Sequence, residues 1–231
     1  MKLTMRYVIF CIICLVAGDF RLNAQGVNTI PDLPLELSGT IGSKEALVIY
    51  LMGDGGWNSS NQQIVQDFEK HGYGVVALNC RKYFWNEKSP DLFANDFEQL
   101  SKYYLKEWGK SSLIIVGYSF GADVASFLPG RLSVNLQKKI NKIALFSPSA
   151  SSDFVIRLSD MMGGTENVDR KYKVGPEIAK TDLPVVVVFG KDEVMMLKNS
   201  LPKRKNLTIY EVPGDHRYNN NFSLLTEMTG M

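Results

Sequence analysis

Apolar runs short enough to be single strands alternate along the chain with segments whose apolar residues recur at helical spacing. The strand-like runs lie at residues 46–51, 75–78, 113–116, 143–146, 185–189 and 207–212. Several of them are continuously apolar, which is typical of parallel strands that are covered on both faces of a sheet. The pattern therefore predicts six strands in one mostly parallel sheet.

The segments between these runs predict helices. Ser89 in front of Pro90 is a typical helix start, because serine caps the first turn and proline fits its first position. The apolar residues that follow share one helical face: Phe93, Phe97, Leu100 and Tyr104. Two further helices are indicated, one before Gly72 and one over residues 220–228. Repeated strand–helix alternation predicts an α/β fold with right-handed crossovers and helices on both faces of the sheet.

One stretch, residues 149–182, departs from this alternation, because it is longer than a simple crossover and mixes charged residues with glycine and proline. Two interpretations stay open: a cap or lid over a site, or a helix with an irregular loop. The sequence contains no internal repeat, linker or second domain, so residues 25–231 are expected to form a single domain.

The first 24 residues have the features of a signal peptide. Lys2 and Arg6 precede an apolar stretch over residues 7–17, and Ala24 offers a small residue for cleavage. The apolar stretch is shorter than the roughly 20 residues that a helix needs to span a bilayer. We therefore expect residues 1–24 to be removed and the protein to be exported.

Composition excludes some functions once the signal segment is set aside. Its removal takes away three basic residues and one acidic residue, so the formal net charge falls from +2 to zero. A neutral domain has no bulk attraction for nucleic acid. Of the three cysteines only Cys80 remains, so no intramolecular disulfide is expected.

The most informative motif is Gly-x-Ser-x-Gly, which spans Gly117, Ser119 and Gly121. It follows the apolar run 113–116 directly and precedes a helix-like segment. In this strand–turn–helix context a sharp turn pushes the serine hydroxyl out of the sheet, and the flanking residues must be small. Ser119 is therefore predicted to be a nucleophile.

A serine nucleophile needs a base and a carboxylate that orients the base. His216 follows the last predicted strand, where catalytic groups collect in parallel sheets, whereas His71 precedes a strand. The run 185–189 is followed by Asp192 and Glu193, which gives the chain order serine, acid, histidine of an α/β-hydrolase. Adjacent residues point in different directions, so only one of the two acids can reach His216. The choice between them stays open.

The same chemistry needs donors for an oxyanion. The backbone N–H of Phe120, the residue after the nucleophile, is one expected donor. The second is expected from Asp54 or Gly55, in a glycine-rich loop after the first long strand. The loop lacks the Lys-Ser/Thr ending of a phosphate-binding P-loop, which excludes nucleotide binding. No cofactor and no metal are expected.

Four segments together carry a family resemblance: Gly53-Asp-Gly-Gly-Trp57, Arg81-Lys-Tyr-Phe-Trp85, Gly117-Tyr-Ser-Phe-Gly-Ala-Asp-Val124 and Pro213-Gly-Asp-His216. They resemble the bacterial VirJ/AcvB virulence-protein family, and the resemblance covers roughly residues 35–228. It implies an α/β-hydrolase fold and a periplasmic hydrolase. AcvB-type members are linked to hydrolysis of aminoacyl-phosphatidylglycerol, which releases the amino acid from the lipid head group.

The resemblance also suggests where such a substrate would bind. Arg81 and Lys82 are candidates for contacting the lipid phosphate, with solvated surface charges as the alternative. Tyr83, Phe84 and Trp85 either dock an acyl chain or cover the core, and packing is expected for at least two of them. Membrane contact would be peripheral, because no second apolar segment is long enough to insert.

Two other functions remain open at this point. A VirJ-like accessory protein of a secretion system could use the hydrolase fold for binding without turnover. A peptidase or thioesterase would use the same triad.

Overall fold

The computed structural model describes residues 30–157, 169–194 and 196–228. The predicted signal segment, residues 1–24, lies outside the described residues. The centre of the structure is a seven-stranded sheet with the order β1-β3-β2-β4-β5-β8-β9, and a separate two-stranded sheet pairs β6 with β7. The strands are β1 Leu35–Leu37, β2 Ala46–Leu51, β3 Gly74–Leu78, β4 Ser112–Tyr118, β5 Ile140–Phe146, β6 Ser151–Ser152, β7 Tyr172–Lys173, β8 Val185–Gly190 and β9 Leu207–Val212.

The prediction of a mostly parallel sheet is confirmed. Every neighbouring pair in the large sheet is parallel except β1 and β3, which run antiparallel with Leu35 opposite Leu78. All six predicted strands are present, four of them longer than expected by one to three residues at an end. The sequence did not predict β1, β6 or β7, because two or three residues are too few to display a periodic pattern.

The described helices are α1 Ser59–Lys70, α2 Cys80–Tyr83, α3 Pro90–Glu107, α4 Phe120–Ala125, α5 Val134–Gln137, α6 Val174–Lys180 and α7 Ser223–Met228. Helix α3 begins as predicted, with the Ser89 hydroxyl accepting a 3.1 Å hydrogen bond from the N–H of Leu92. Helix α7 begins three residues later than predicted, because Asn219 and Asn220 have positive φ and cannot continue an α-helix.

Both faces of the sheet are buried. Along β2 the side chains alternate between the two faces, so that Leu47 and Ile49 join one apolar cluster and Val48 and Tyr50 join the other. Helices α3 and α4 cover the first face, and α1 and α7 cover the second. This three-layer arrangement explains why the strand sequences are almost continuously apolar.

The described flanks of the irregular stretch 149–182 pack on the rest of the domain. Phe154 is fully buried, and its ring meets those of Phe84, Phe127 and Tyr172 edge to face. Residues 158–168 lie outside the described residues, so the interpretation as a lid stays a prediction. Within the three described ranges no helix is both long enough and apolar enough to cross a membrane.

Candidate active site

Ser119 lies at the sharp turn between β4 and α4. Its backbone has φ 54° and ψ −124°, a conformation that non-glycine residues rarely adopt, and its N–H donates a 2.8 Å hydrogen bond to the carbonyl of Phe146. A Cβ on Gly117 would lie 2.5 Å from the carbonyl oxygen of Gly121, and a Cβ on Gly121 would collide with the carbonyl of Leu51. Gly117 is therefore required by the tight turn itself, and Gly121 by the close approach of β2.

His216 reaches Ser119 from the loop that follows β9. Its Nε2 lies 2.9 Å from Ser119 Oγ. The hydroxyl of Tyr118 donates a 3.0 Å hydrogen bond to the His216 carbonyl and thereby holds the loop against β4. The loop also passes so close to β8 that a Cβ on Gly190 would collide with the carbonyl of Asp215. Glycine at position 190 thus permits the approach of the histidine.

Glu193, and not Asp192, is the acid beside His216. Glu193 is buried, and its Oε1 lies 2.5 Å from His216 Nδ1. Its Oε2 accepts hydrogen bonds from the Ser147 hydroxyl at 2.8 Å and from the Gly190 N–H at 3.0 Å. The N–H of Glu193 bonds back to the carbonyl of Gly190, and this turn directs Glu193 inward and leaves Asp192 exposed. Of the two acids that the sequence left open, the structure thus places Glu193 beside His216.

Two buried hydroxyl groups, those of Ser147 and Tyr218, lie on the side of Glu193 that faces away from His216. Ser147, fully buried with φ 50°, lies directly after β5. The Tyr218 hydroxyl lies 2.5 Å from Ser147 Oγ and donates to the carbonyl of Val188 at 3.2 Å. Burial holds the pKa of Tyr218 well above its usual value, so the phenol stays protonated and can donate. Sequence reasoning missed both residues; only the position of Ser147 after a strand at the catalytic edge gave a signal.

The glycine-rich loop after β2 borders the nucleophile. A Cβ on Gly53 would lie 3.4 Å from the Cβ of Ser119, so the loop and the nucleophile are in close contact. In the part of the chain that the structure describes, the N–H groups of Asp54, Gly55 and Phe120 donate no hydrogen bond. These groups are therefore available to a ligand, as an oxyanion site requires.

Asn61, in the first turn of α1, fixes the shape of this loop. Its Nδ2 donates a 2.6 Å hydrogen bond to the Gly56 carbonyl, and its Oδ1 accepts from the hydroxyl of the fully buried Tyr50. Asn58 caps the helix by accepting a 3.0 Å hydrogen bond from the Asn61 N–H. No feature of the sequence pointed to this contact between strand, loop and helix.

A cavity of about 290 Å³ opens above these groups. Its lining is polar and includes both Ser119 and His216; the remaining lining residues are Gly53, Asp54, Gly55, Asn58, Ser59, Ser60, Asn61, Tyr118 and Arg217. Arg81 and Lys82 are not among them; the Arg81 side chain packs beside Gly56, and Lys82 is exposed. Among the described residues no group of three or more acids, histidines and cysteines is placed to hold a metal ion.

Asp123 is a second buried carboxylate near the site. It lies in α4, one turn after the nucleophile, and accepts a 2.6 Å hydrogen bond from the N–H of Ser149. Burial raises its pKa to about 7, although hydrogen bonds from Ser149 and Ser152 and the charge of His216 act in the opposite direction. This contact makes Asp123 a structural hydrogen-bond acceptor.

Known proteins resemble the chain chiefly in fold. The match to the structure of Est1E from Butyrivibrio proteoclasticus covers 84% of this chain and 88% of the Est1E chain, with a TM-score of 0.56 and 16% sequence identity. The match to the structure of the Pyrococcus furiosus esterase Pf2001 covers 86% of this chain and 92% of the esterase chain, with a TM-score of 0.55 and 15% sequence identity. The fold is therefore that of the α/β-hydrolases.

A curated relative matches at the level of sequence. Protein phosphatase methylesterase 1 of Candida glabrata is 27% identical in an alignment of 130 residues that covers 50% of this chain. The chain spans about a third, 32%, of the length of that relative.

The family assignment rests on a longer match. The family model described as bacterial virulence protein (VirJ) matches residues 45–229, a range that includes β2 and every later described element. This range contains Ser119, Glu193 and His216 as well as the glycine-rich loop after β2. The chain belongs to the VirJ family of bacterial virulence proteins.

Proposed function

We propose that this protein is a serine hydrolase that cleaves carboxylic esters. The observation that carries the proposal is the unbroken line of short contacts from Ser119 through His216 to the buried Glu193. This line fits a neutral imidazole that carries its proton on Nδ1 and accepts the serine proton at Nε2. The esterases among the structural neighbours and the curated methylesterase support the same reaction class.

The proposed reaction begins when Ser119 Oγ attacks the ester carbonyl while His216 Nε2 takes the hydroxyl proton. Negative charge then develops on the carbonyl oxygen, where the N–H of Phe120 and that of Asp54 or Gly55 stabilise it. The tetrahedral intermediate expels the alcohol, which receives its proton from His216. Water, deprotonated by the same histidine, hydrolyses the acyl-enzyme and returns Ser119 to its starting state.

For the substrate we propose the aminoacyl ester of aminoacyl-phosphatidylglycerol, on the strength of the family. Such an ester is an activated carboxylic ester and suits an acyl-enzyme route. Arg81 and Lys82, on α2 after β3, would contact the lipid phosphate outside the cavity itself. We also propose that residues 1–24 are removed on export and that the protein acts in the periplasm.

Exposed apolar side chains support a peripheral contact with a lipid surface. Three of them follow strands at the catalytic edge: Trp57 after β2, Trp85 after β3 and Val194 after β8. Trp85 is 54% exposed and Val194 78% exposed, whereas Tyr83 and Phe84 are buried in the core as expected. Tryptophan side chains are favoured where an apolar membrane interior meets water.

The test is incubation of the purified protein with vesicles that contain aminoacylated or plain phosphatidylglycerol. We expect release of the free amino acid from the first vesicles alone, and no release by a Ser119→Ala variant that keeps the wild-type circular dichroism spectrum. Equal release by that variant would contradict the mechanism.

A binding role without turnover is the second candidate, because the shared family is one of virulence proteins and a fold alone does not guarantee chemistry. A folded wild-type protein that hydrolyses neither the lipid nor simple activated esters would favour it.

A further inference from the structure

Asp54 places a carboxylate in the candidate active site that has no partner in the described part of the chain. It lines the cavity together with Ser119 and His216. Neither an ion pair nor a side-chain hydrogen bond joins it to another described residue, including Arg217, which lines the same cavity, and Arg81, which packs beside Gly56. Capping of α1 does not account for it either, because Asn58 performs that role.

The negative charge of Asp54 acts at the catalytic centre. Burial is the main reason why the pKa of Tyr118 is raised; the charges of Glu193, Asp215 and Asp54 raise it further, and that of Arg217 lowers it. Tyr118 donates its hydroxyl hydrogen bond to the His216 carbonyl, and its ring centroid lies 5.5 Å from that of the histidine. The carboxylate of Asp54 therefore acts on the residues that surround the reacting atoms.

An unpaired carboxylate at this position should slow the hydrolysis of an uncharged ester. The reaction places an oxyanion beside the loop that carries Asp54, and two like charges at short range repel each other. The repulsion is removed if the substrate brings a cation that pairs with the carboxylate. Such a cation must lie close to the scissile carbonyl, because the same loop is expected to bind that carbonyl.

We infer that Asp54 is a specificity-determining residue that binds a protonated amine on the acyl side of the ester, adjacent to the scissile carbonyl. The inference rests on the proposed hydrolase function and names the feature of the acyl group that the site selects. An α-amino acyl group has this chemistry, because its ammonium is attached to the carbon next to the carbonyl. Charge pairing in a partly enclosed site then favours amino-acyl over neutral acyl groups.

The experiment compares two esters of one alcohol that differ only in charge. The alanyl ester carries an ammonium where the isobutyryl ester carries a methyl group of similar size. The ratio of their kcat/KM values is measured at a pH of about 6.5, where an α-amino group with a usual pKa of about 7.7 is protonated. Comparison of the ratio between variants cancels the difference in intrinsic reactivity.

We expect Asp54→Asn to lower the alanyl-to-isobutyryl ratio at least about tenfold, and Asp54→Glu, which keeps the charge, to retain most of it. The matched control is Asp192→Asn, which removes the same charge from an exposed position outside the cavity and should leave the ratio within about twofold of wild type. The ratio should also fall as the pH rises through the pKa of the substrate amine, and it should fall more in the wild type than in Asp54→Asn, where only the activation of the ester by its own ammonium is lost.

Two outcomes would overturn the inference. The first is an unchanged ratio in Asp54→Asn, and the second is an equal fall in the Asp192→Asn control. Failure of the wild type to hydrolyse either ester would count against the proposed function itself, and the inference would fall with it. Hydrolysis of the neutral ester with no preference for the alanyl ester would retain the hydrolase and exclude the role of Asp54.

Discussion

The carboxylate of Glu193 lies 2.5 Å from Nδ1 of His216, and its second oxygen is held by the Ser147 hydroxyl and the Gly190 N–H. Two donors on one oxygen leave the other free to orient the imidazole. A carboxylate that is buried and held in this way fixes the tautomer of the histidine and stabilises the imidazolium that forms during the reaction.

Replacement of Glu193 by Gln should lower kcat by about 10³- to 10⁴-fold, because an amide cannot stabilise the imidazolium or enforce the tautomer. Asp192→Asn, one residue away and exposed, should stay within about twofold of wild type. Steady-state kinetics on a soluble activated ester checks both values. A large loss in the Asp192 variant with an active Glu193 variant would reverse the assignment of the acid.

Replacement of Asn61 by Asp should lower kcat by between about tenfold and a thousandfold with little change in KM. Without the bond from Asn61 the glycine-rich loop shifts, and its N–H donor then stabilises the oxyanion less well. Asp retains an acceptor for the Tyr50 hydroxyl but cannot donate to the Gly56 carbonyl. Tyr50→Phe is the matched control, since it removes the other end of the network and leaves the bond to Gly56 in place.

The Tyr50 variant should lose about 1–3 kcal/mol of unfolding free energy, the usual cost of an unpaired buried acceptor. Its loss of kcat should be smaller than that of the Asn61 variant. Equal losses of kcat in the two variants would mean that Asn61 serves stability alone.

Replacement of Asp123 by Asn should change how stability depends on pH. The pKa of Asp123 is about 7 in the folded protein and near 3.8 when the residue is unperturbed. Between these values the folded state keeps a proton that the unfolded chain has lost, so a rise in pH favours unfolding over this range. Asp123 thus contributes fully to stability below about pH 4, and this contribution is lost as the pH rises to about 7. The loss in unfolding free energy amounts to up to a few kcal/mol, because a shift of one pKa unit corresponds to about 1.4 kcal/mol.

The Asn variant lacks this titration, and its amide still accepts from the Ser149 N–H. Its unfolding free energy relative to wild type should therefore increase between pH 5 and pH 8, by about 1 kcal/mol or more. Urea unfolding of both proteins at several pH values measures the difference, with Asp192→Asn as an exposed control. A constant difference across the range would contradict the prediction.

Replacement of Trp57 and Trp85 together by Ser should weaken binding to anionic vesicles several-fold, because both side chains are exposed at the catalytic edge. Val134→Ser is the control: Val134 is 65% exposed but begins α5, which precedes β5 and lies at the opposite edge of the sheet. Vesicle co-sedimentation measures the effect. An equal loss in the Val134 variant would exclude a specific role for the catalytic edge.

The sequence predicted those parts of the fold and site that depend on local patterns. Continuous apolar runs located the strands of the sheet, and the Gly-x-Ser-x-Gly motif located Ser119 because Gly117 is required by a local turn. Position after the last strand identified His216 as the base candidate, and the two groups lie 2.9 Å apart.

Features that depend on long-range contacts could not be predicted in this way. The choice between Asp192 and Glu193 depends on the turn that ties Glu193 to Gly190, which the spacing of two adjacent acids does not reveal. Ser147 and Tyr218 lie 71 positions apart and meet only because β5, β8 and the histidine loop are adjacent in the sheet.

Reaction with a fluorophosphonate probe, followed by mass spectrometry of the labelled peptide, shows whether Ser119 is a nucleophile that His216 activates. We expect one adduct per protein, on Ser119, with labelling abolished in Ser119→Ala and slowed by at least about a hundredfold in His216→Ala. A folded wild-type protein that takes up no probe, or labelling that persists in the Ser119 variant, would rule out a serine nucleophile at this position.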